Sequence, residues 1–385
     1  MKVAFVTTYN AEDIRNWSGT SYYMSKSLIE AGVKLEFIGD LKTLSNRFPP
    51  VRFRNFLFNK LLKNRNRNYE SFYEPQNLKY IASQVQNRLK NSDANIVFSP
   101  GAIPIAYLKT KKPVVFWTDA TFAVMQDYYD CFTGLDKRTI RNSHLYERMV
   151  VKRSSLAIYS SQWAADSAVK DYDADQRRVK VIPYGANIEC FRTKADIIEF
   201  NTKKSRTTCK LLFIGQEWER KGGDTAVKVA AELNKQGIKT ELTIVGCNPP
   251  ELSSLPDYIN VLGFVNKTEK EGENLISKLY SESHFFVLPT IAECTPIVFS
   301  EANSFGLPVI TTGTGGISSM IRNDVNGRMF GNEINIQSCA AYVREFFENP
   351  ARYNEYSILS FNEYQTRLNW SVSIGKVIGF LKELL

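Results

Sequence analysis

Histidine is almost missing from this chain, with two among 385 residues, and the six cysteines (Cys131, Cys190, Cys209, Cys247, Cys294, Cys339) never form a C-x-x-C pair. A zinc centre or dithiol redox site therefore has no ligand set, and scattered thiols fit a reducing compartment. Long apolar runs are missing too. No stretch approaches the ~18 residues that span a bilayer, and the apolar opening Met1–Val6 breaks at Thr7-Thr8, short of a signal-peptide core. A cytoplasmic location is the expectation. Internal repeats and low-complexity segments are absent, and 43% apolar with 23% charged residues excludes a disordered chain.

What is present is a repeated alternation of short β-branched or aromatic runs with helical patterns, the signature of parallel α/β sheets. The first half offers strands at Lys2–Thr7, Lys34–Ile38, Asn95–Ser99, Pro113–Trp117, Leu156–Tyr159 and Val179–Ile182. The second offers Lys210–Ile214, Thr240–Val245, Tyr258–Leu262, Ser283–Leu288 and Pro308–Thr311. The length suits two domains. The expected architecture is a pair of Rossmann-like, doubly wound domains facing a central cleft at the carboxyl ends of their strands. The expected boundaries are 1–195 and 196–369, with the last helix, 370–385, crossing back to the first domain.

Charge is unevenly spread. Residues 1–190 hold 28 Lys+Arg against 18 Asp+Glu, a net of +10, while the remainder holds 21 against 22. Any anionic partner is expected on the first half. Within it, Arg47, Arg52, Arg54, Lys60, Lys63, Arg65 and Arg67 interleave with Phe48, Phe53, Phe56, Leu57, Phe58, Leu61 and Leu62. Such a pattern over 47–69 suits an amphipathic helix on an anionic membrane or a groove for an anionic glycan or nucleic acid. It equally suits a helix packed by its apolar face on its own domain.

The densest chemistry lies between Glu293 and Glu301, two carboxylates eight positions apart. A strand, Phe285–Pro289, leads through a turn into a helix through Phe299–Asn303 that stops at Gly306-Leu307-Pro308. Such a turn aims backbone N–H groups and a helix dipole at one point, which suits a diphosphate flanked by hydroxyl groups. A second site follows the strand ending at Ile214: Gly215-Gln216-Glu217-Trp218-Glu219-Arg220-Lys221-Gly222-Gly223, with two adjacent cations. Near the N-terminus, Gly19 lies before a helix, where backbone can approach a ligand, although an N-cap at Ser18 or Thr20 explains the same string. Asp171-Tyr172-Asp173 reads as a solvated turn, and no metal is expected.

With its Gly306–Thr312 segment and Gly315-Gly316, the Glu293/Glu301 pair resembles the retaining family 4 glycosyltransferases of the GT-B fold, over essentially the whole chain. The resemblance implies that Glu293 contacts the donor sugar and Glu301 the ribose of a nucleotide sugar. Cys294, Thr295, Pro296 and Ile297 then line the sugar and diphosphate, with the backbone N–H groups of Thr295 and Ile297 nearest to them. Lys221 matches the family lysine that neutralises the leaving diphosphate, whereas Gln216 stands where an arginine is usual, leaving Arg220 as the replacement. Gly215 belongs to the same loop, and Gly246 and Gly263 line the expected base pocket. The family's histidine on the acceptor side has no counterpart; Asp119 is the local substitute, as an acceptor-orienting group, a base or an electrostatic stabiliser, or else merely a helix cap.

The resemblance thus implies transfer of a sugar from a nucleotide-diphosphate sugar to a glycan, lipid or small-molecule hydroxyl, with no further cofactor. The alternatives are a nucleotide-sugar epimerase or phosphorylase on the same scaffold, or a non-catalytic sugar-binding protein. A dinucleotide oxidoreductase is poorly supported, because neither half begins with G-x-G-x-x-G, and no nucleic-acid partner is expected.

Overall fold

The β-branched and aromatic runs form strands at all eleven expected places in the computed structural model, which describes residues 1–63, 68–250 and 255–385. The chain divides into two units, Met1–Pro183 with Ser373–Leu385, and Tyr184–Val372. In unit 1 the strands are β1 (Lys2–Val6), β2 (Lys34–Ile38), β3 (Ile96–Ser99), β4 (Val114–Thr118), β5 (Leu156–Tyr159) and β6 (Val179–Val181), in the order β2-β1-β3-β4-β5-β6. All pairs are parallel, with Val3 opposite Ile96 and Phe5 opposite Phe98. Helices cover the sheet, so Val97, Phe98 and Phe116 are sealed from water, as the continuous apolar runs require.

Unit 2 repeats the plan with β7 (Cys209–Ile214), β8 (Thr240–Val245), β9 (Ile259–Val261), β10 (Phe285–Leu288), β11 (Val309–Thr311) and β12 (Gly327–Met329), ordered β12-β11-β10-β7-β8-β9. The twelfth strand was not expected from the sequence: Gly327-Arg328-Met329 is short, without a β-branched residue, and pairs with β11 at the sheet edge. The chain reverses its direction of travel across the sheet between β7 and β10. Loops leaving the strands at such a reversal are where doubly wound sheets bind ligands.

The segment Pro183–Asn187 is held structurally. Tyr184 stacks on Trp370, Asn187 Oδ1 accepts from the Trp370 indole at 3.0 Å, and a side chain on Gly185 would overlap Trp370. Beyond Trp370 the final helix, Trp370–Lys382, passes into unit 1. There Ile374, Val377 and Leu381 are buried at helical spacing, Ser373 Oγ donates to the Pro183 carbonyl at 2.8 Å, and Lys180 lies over the Phe380 ring.

The basic, aromatic stretch forms the helix Pro49–Lys63 in unit 1. Among its described residues, Asn55 donates to Ser45 Oγ at 2.9 Å and Val51 is half-buried. Phe53 and Phe56 are 64% and 61% exposed, beside exposed Leu57, Arg52, Arg54 and Lys60. Among its described side chains, Phe53, Phe56 and Leu57 thus face outward while Phe58 meets the buried Tyr69 ring edge-on at 4.8 Å. Arg65 and Arg67 lie outside the described residues, as do the side chains of Leu61, Leu62 and Lys63.

One buried acid sits in unit 1 without a counter-charge. Glu147, on the helix Lys137–Arg153, has an Oε1 with no hydrogen-bond partner, and burial pushes its carboxyl from 4.5 up to about 8. The folded chain keeps a proton that the unfolded chain releases. Stability from this group is thus fully present below about pH 4.5 and is lost as pH rises through about 8. Replacing Glu147 with Gln should flatten the decline of Tm between pH 5 and pH 9 by roughly 5 °C, followed by differential scanning calorimetry. An unchanged slope would show that the carboxyl is not neutral in the fold.

Candidate active site

The loops after β7 and β10 meet in unit 2 through glycine. Gly222, at φ +76°, has its α-carbon so close to the end of β10 that a β-carbon would sit 2.1 Å from the Pro289 carbonyl oxygen. Only a residue without a side chain permits that approach in a left-handed conformation. The two loops are then joined by hydrogen bonds: Ile291 N–H and Thr290 Oγ1 both donate to the Arg220 carbonyl, at 2.9 and 3.0 Å. A β-carbon on Gly223 would collide with the Trp218 indole, whose Nε1 donates to Asp224 at 3.0 Å. The short helix Trp218–Lys221 is fixed in consequence.

This fixing turns two cations onto one carboxylate. Lys221 Nζ donates to Glu293 Oε2, and Arg220 approaches the same oxygen at 3.5 Å while donating to the Ala292 carbonyl at 2.8 Å. Arg220 also grips Glu217 with two bonds of 2.7 Å, which holds that carboxyl below its usual range. Glu293 is 8% exposed, and its own carbonyl accepts from Gly316 N–H at 3.1 Å. Three of the residues singled out in the sequence, Arg220, Lys221 and Glu293, are therefore one cluster.

Glycines 215 and 246 set the neighbouring floor. Gly215 N–H donates to the Val245 carbonyl, and Gly246, at φ +97°, lies so near that a β-carbon would be 2.7 Å from the Gly215 oxygen. Lys221 crosses Gly215, with Cγ 3.0 Å from where a side chain there would begin. Bare backbone after β7 and β8 is what a flat ring or a phosphate needs for close approach.

Glu301 has separate partners. It lies on the helix Ile297–Asn303, which begins at Pro296 with no side-chain cap, after buried Cys294 and Thr295. Its Oε1 accepts from Lys267 Nζ at 2.5 Å and its Oε2 from the Tyr280 hydroxyl at 3.2 Å. Neither partner was expected. Lys267 follows the Gly263-Phe264-Val265 turn and Tyr280 faces inward from the helix Lys270–Glu282; no motif ties either to Glu301.

In unit 1, Trp17, Ser18 and Gly19 are successively left-handed, at φ 46°, 53° and 83°. For the two residues with side chains this is a strained conformation. Asp119 follows β4, half-buried; burial, and to a lesser degree the Asp119 charge, raises the Tyr9 phenol against the opposing effect of its 2.7 Å hydrogen bond with Ser21. The two histidines are structural. His284 accepts from Lys210 N–H and faces the Ser205 carbonyl, with burial pushing it down to about 3, and His144 bonds to Tyr172. Asp173 ends a helix and pairs with Arg148, as a solvated turn should. Among the described residues no three His, Cys, Asp or Glu side chains gather as a metal site, and no helix is long and apolar enough to cross a membrane.

Two parallel α/β units, with a cation–carboxylate cluster where the strand order of the second reverses, define the GT-B class. Residues 194–360 match the family model described as Glycosyl transferases group 1. Similar relatives include a D-inositol 3-phosphate glycosyltransferase of Corynebacterium diphtheriae, 22% identical over 60% of this chain and 56% of that protein. The chain spans about half the length of the curated relatives it matches. Sucrose-phosphate synthase from Thermosynechococcus elongatus superposes with TM-score 0.71 at 13% identity, covering 100% of this chain and 99% of that one. Anabaena HepE, solved in complex with UDP-glucose, gives 0.62 at 15% identity over 100% of both chains. The chain has the GT-B fold, and its residues 194–360 are similar to the group 1 glycosyl transferases.

Gly222→Ala should destabilise unit 2 by ~2–4 kcal/mol, because the new methyl meets backbone in a left-handed position. Urea unfolding measures this; a wild-type midpoint would refute the close approach.

Proposed function

We propose that the chain is a retaining glycosyltransferase that moves a sugar from a nucleotide-diphosphate sugar to a hydroxyl acceptor, without a metal or other cofactor. The observation that carries the reading is the placing of Lys221 and Arg220 on Glu293 at the reversal point of the unit 2 sheet. Both cations are poised to pass from that carboxylate to a diphosphate. As the bond from the sugar anomeric carbon to the diphosphate oxygen breaks, negative charge grows on the leaving group, and two nearby cations stabilise it. Glu293 then holds the sugar hydroxyls, and Glu301 exchanges Lys267 for the ribose diol. Gly215, Gly246 and the backbone from Cys294 to Ile297 complete the donor side. The acceptor oxygen bonds to the anomeric carbon on the face the diphosphate leaves, and its proton passes to the departing phosphate oxygen. Asp119, with Gly19 in unit 1, orients the acceptor.

The HepE complexes make uridine the first base to try. UDP should raise the Tm of the chain, and Glu301→Ala and Lys221→Met should each abolish that rise. With a UDP-sugar and a competent acceptor, Lys221→Met should lower kcat by ~100-fold or more. Proton NMR of the product should show the donor's anomeric configuration; an inverted product or an isomerised nucleotide sugar would defeat the reading. If uridine, guanosine and adenosine diphosphates all failed to stabilise the wild type, the donor site itself would be wrong.

The acceptor is a glycan or lipid-linked hydroxyl reached at an anionic membrane surface, on the inner face of the membrane. Support comes from the helix Pro49–Lys63, whose outward Phe53, Phe56 and Leu57 lie among Arg52, Arg54 and Lys60. Aromatic side chains enter the headgroup boundary while cations meet anionic lipid. Binding to phosphatidylglycerol vesicles should fall at least ~10-fold in Phe53→Ser/Phe56→Ser, and wild-type binding should weaken with salt. Equal binding by wild type and variant would remove the membrane from the proposal.

A further inference from the structure

Unit 1 contains a cavity of about 410 Å³ that has no part in the donor or acceptor chemistry above. It lies at the amino-terminal end of the strands, against Val114, which begins β4, and Ser155, which immediately precedes β5. Asp119 follows the other end of β4. A five-residue strand is ~17 Å long, so the cavity and the candidate acceptor residue occupy opposite ends of the sheet.

Three cations line the cavity, Lys109, Lys112 and Arg153, and no carboxylate does. None of the three has an ion-pair partner within 4.0 Å among the described residues. Lys112 is held by neutral oxygens, donating to the Ala94 carbonyl at 2.5 Å and more weakly to that of Ser92 at 3.4 Å. The acid nearest in effect, Asp93, is paired with Lys2. A fourth cation stands close by, since Lys79 lies 5.4 Å over the ring of Tyr107, a phenol that also feels Arg153.

The helix Lys137–Arg153 ends here, and its carboxyl terminus contributes a partial negative charge. That is about half an elementary charge against three full positive ones, so the cavity remains strongly positive. Ile105, Leu108 and Val150 give it an apolar wall. A cavity within the ordinary range for small ligands, with convergent cations on one side and aliphatic surface on the other, matches an anion carrying an apolar portion. It also accounts for part of the positive excess of the first half, most of which no carboxylate answers.

We propose that this cavity is an accessory site for a phosphate ester, the phosphate on Lys109, Lys112 and Arg153 and the organic portion against Leu108 and Val150. Its occupant does not touch the reacting sugar and acts on unit 1 from behind the sheet.

The test is calorimetric titration of the full chain carrying Lys221→Met, which weakens phosphate binding at the donor site. The probes are inorganic phosphate, ribose 5-phosphate and monomeric dihexanoyl phosphatidic acid. At least one ester should bind at a single site, ~10-fold or more tighter than inorganic phosphate. Adding Lys109→Ser and Arg153→Ser should weaken it by at least ~10-fold. Both residues are exposed, so the pair should leave Tm and, in the Lys221 background, UDP binding unchanged. Preference for ribose 5-phosphate would point to a soluble metabolite, and preference for the lipid to a membrane headgroup; either supports the site. No saturable binding, equal binding after the double substitution, or equal affinity for inorganic phosphate (an adventitious ion only) would overturn it. Each of these failures leaves the donor site unaffected, because Lys221 takes no part in the cavity.

Discussion

Glu293 is a carboxylate almost closed off from water, and the unit 2 site depends on how its charge is met. Burying such a group costs several kcal/mol unless cations and hydrogen bonds offset the loss of hydration. Lys221 and Arg220 supply the cations, yet both come from a different loop, 72 and 73 positions earlier in the chain. They reach it only because Gly222 lets that loop press against the end of β10. Strand order does the rest, since the reversal between β7 and β10 brings these two loops side by side. Packing, backbone freedom and electrostatics thus converge on one contact.

The second carboxylate is arranged on different terms. Glu301 is buried more deeply, yet its cation, Lys267, is on a partly exposed side chain, and its other partner is a neutral phenol. An ion pair with one solvated member exchanges partners more readily than one enclosed on both sides. Two carboxylates eight residues apart are thereby set differently: Glu293 meets two cations of one loop, Glu301 one ammonium and one phenol.

Most of this framework could be read in the sequence. Parallel strands are buried on both faces, so they appear as continuous apolar runs such as Phe285–Leu288, and the turn glycines mark where backbone must approach backbone. Lys221 and Glu293 were visible because a family pattern surrounds them. Lys267 and Tyr280 were not, since contacts made 34 and 21 positions from Glu301 arise only once β9 and the helix Lys270–Glu282 are in place. The hydrogen bond between Tyr9 and Ser21 was hidden for the same reason. The helix Pro49–Lys63 shows the opposite limit. Its composition allowed its aromatic side chains to pack inward or to face water, and among those described Phe53 and Phe56 face water while Phe58 packs on Tyr69.

Residues 373–385 belong to unit 1 although they follow all of unit 2 in the chain. During synthesis, unit 1 therefore emerges first but is completed last. Until Ile374, Val377 and Leu381 arrive, the surface they cover stays open, including the Pro183 carbonyl that Ser373 later caps. Unit 2 is continuous in the chain, whereas unit 1 is closed by two segments that unit 2 separates.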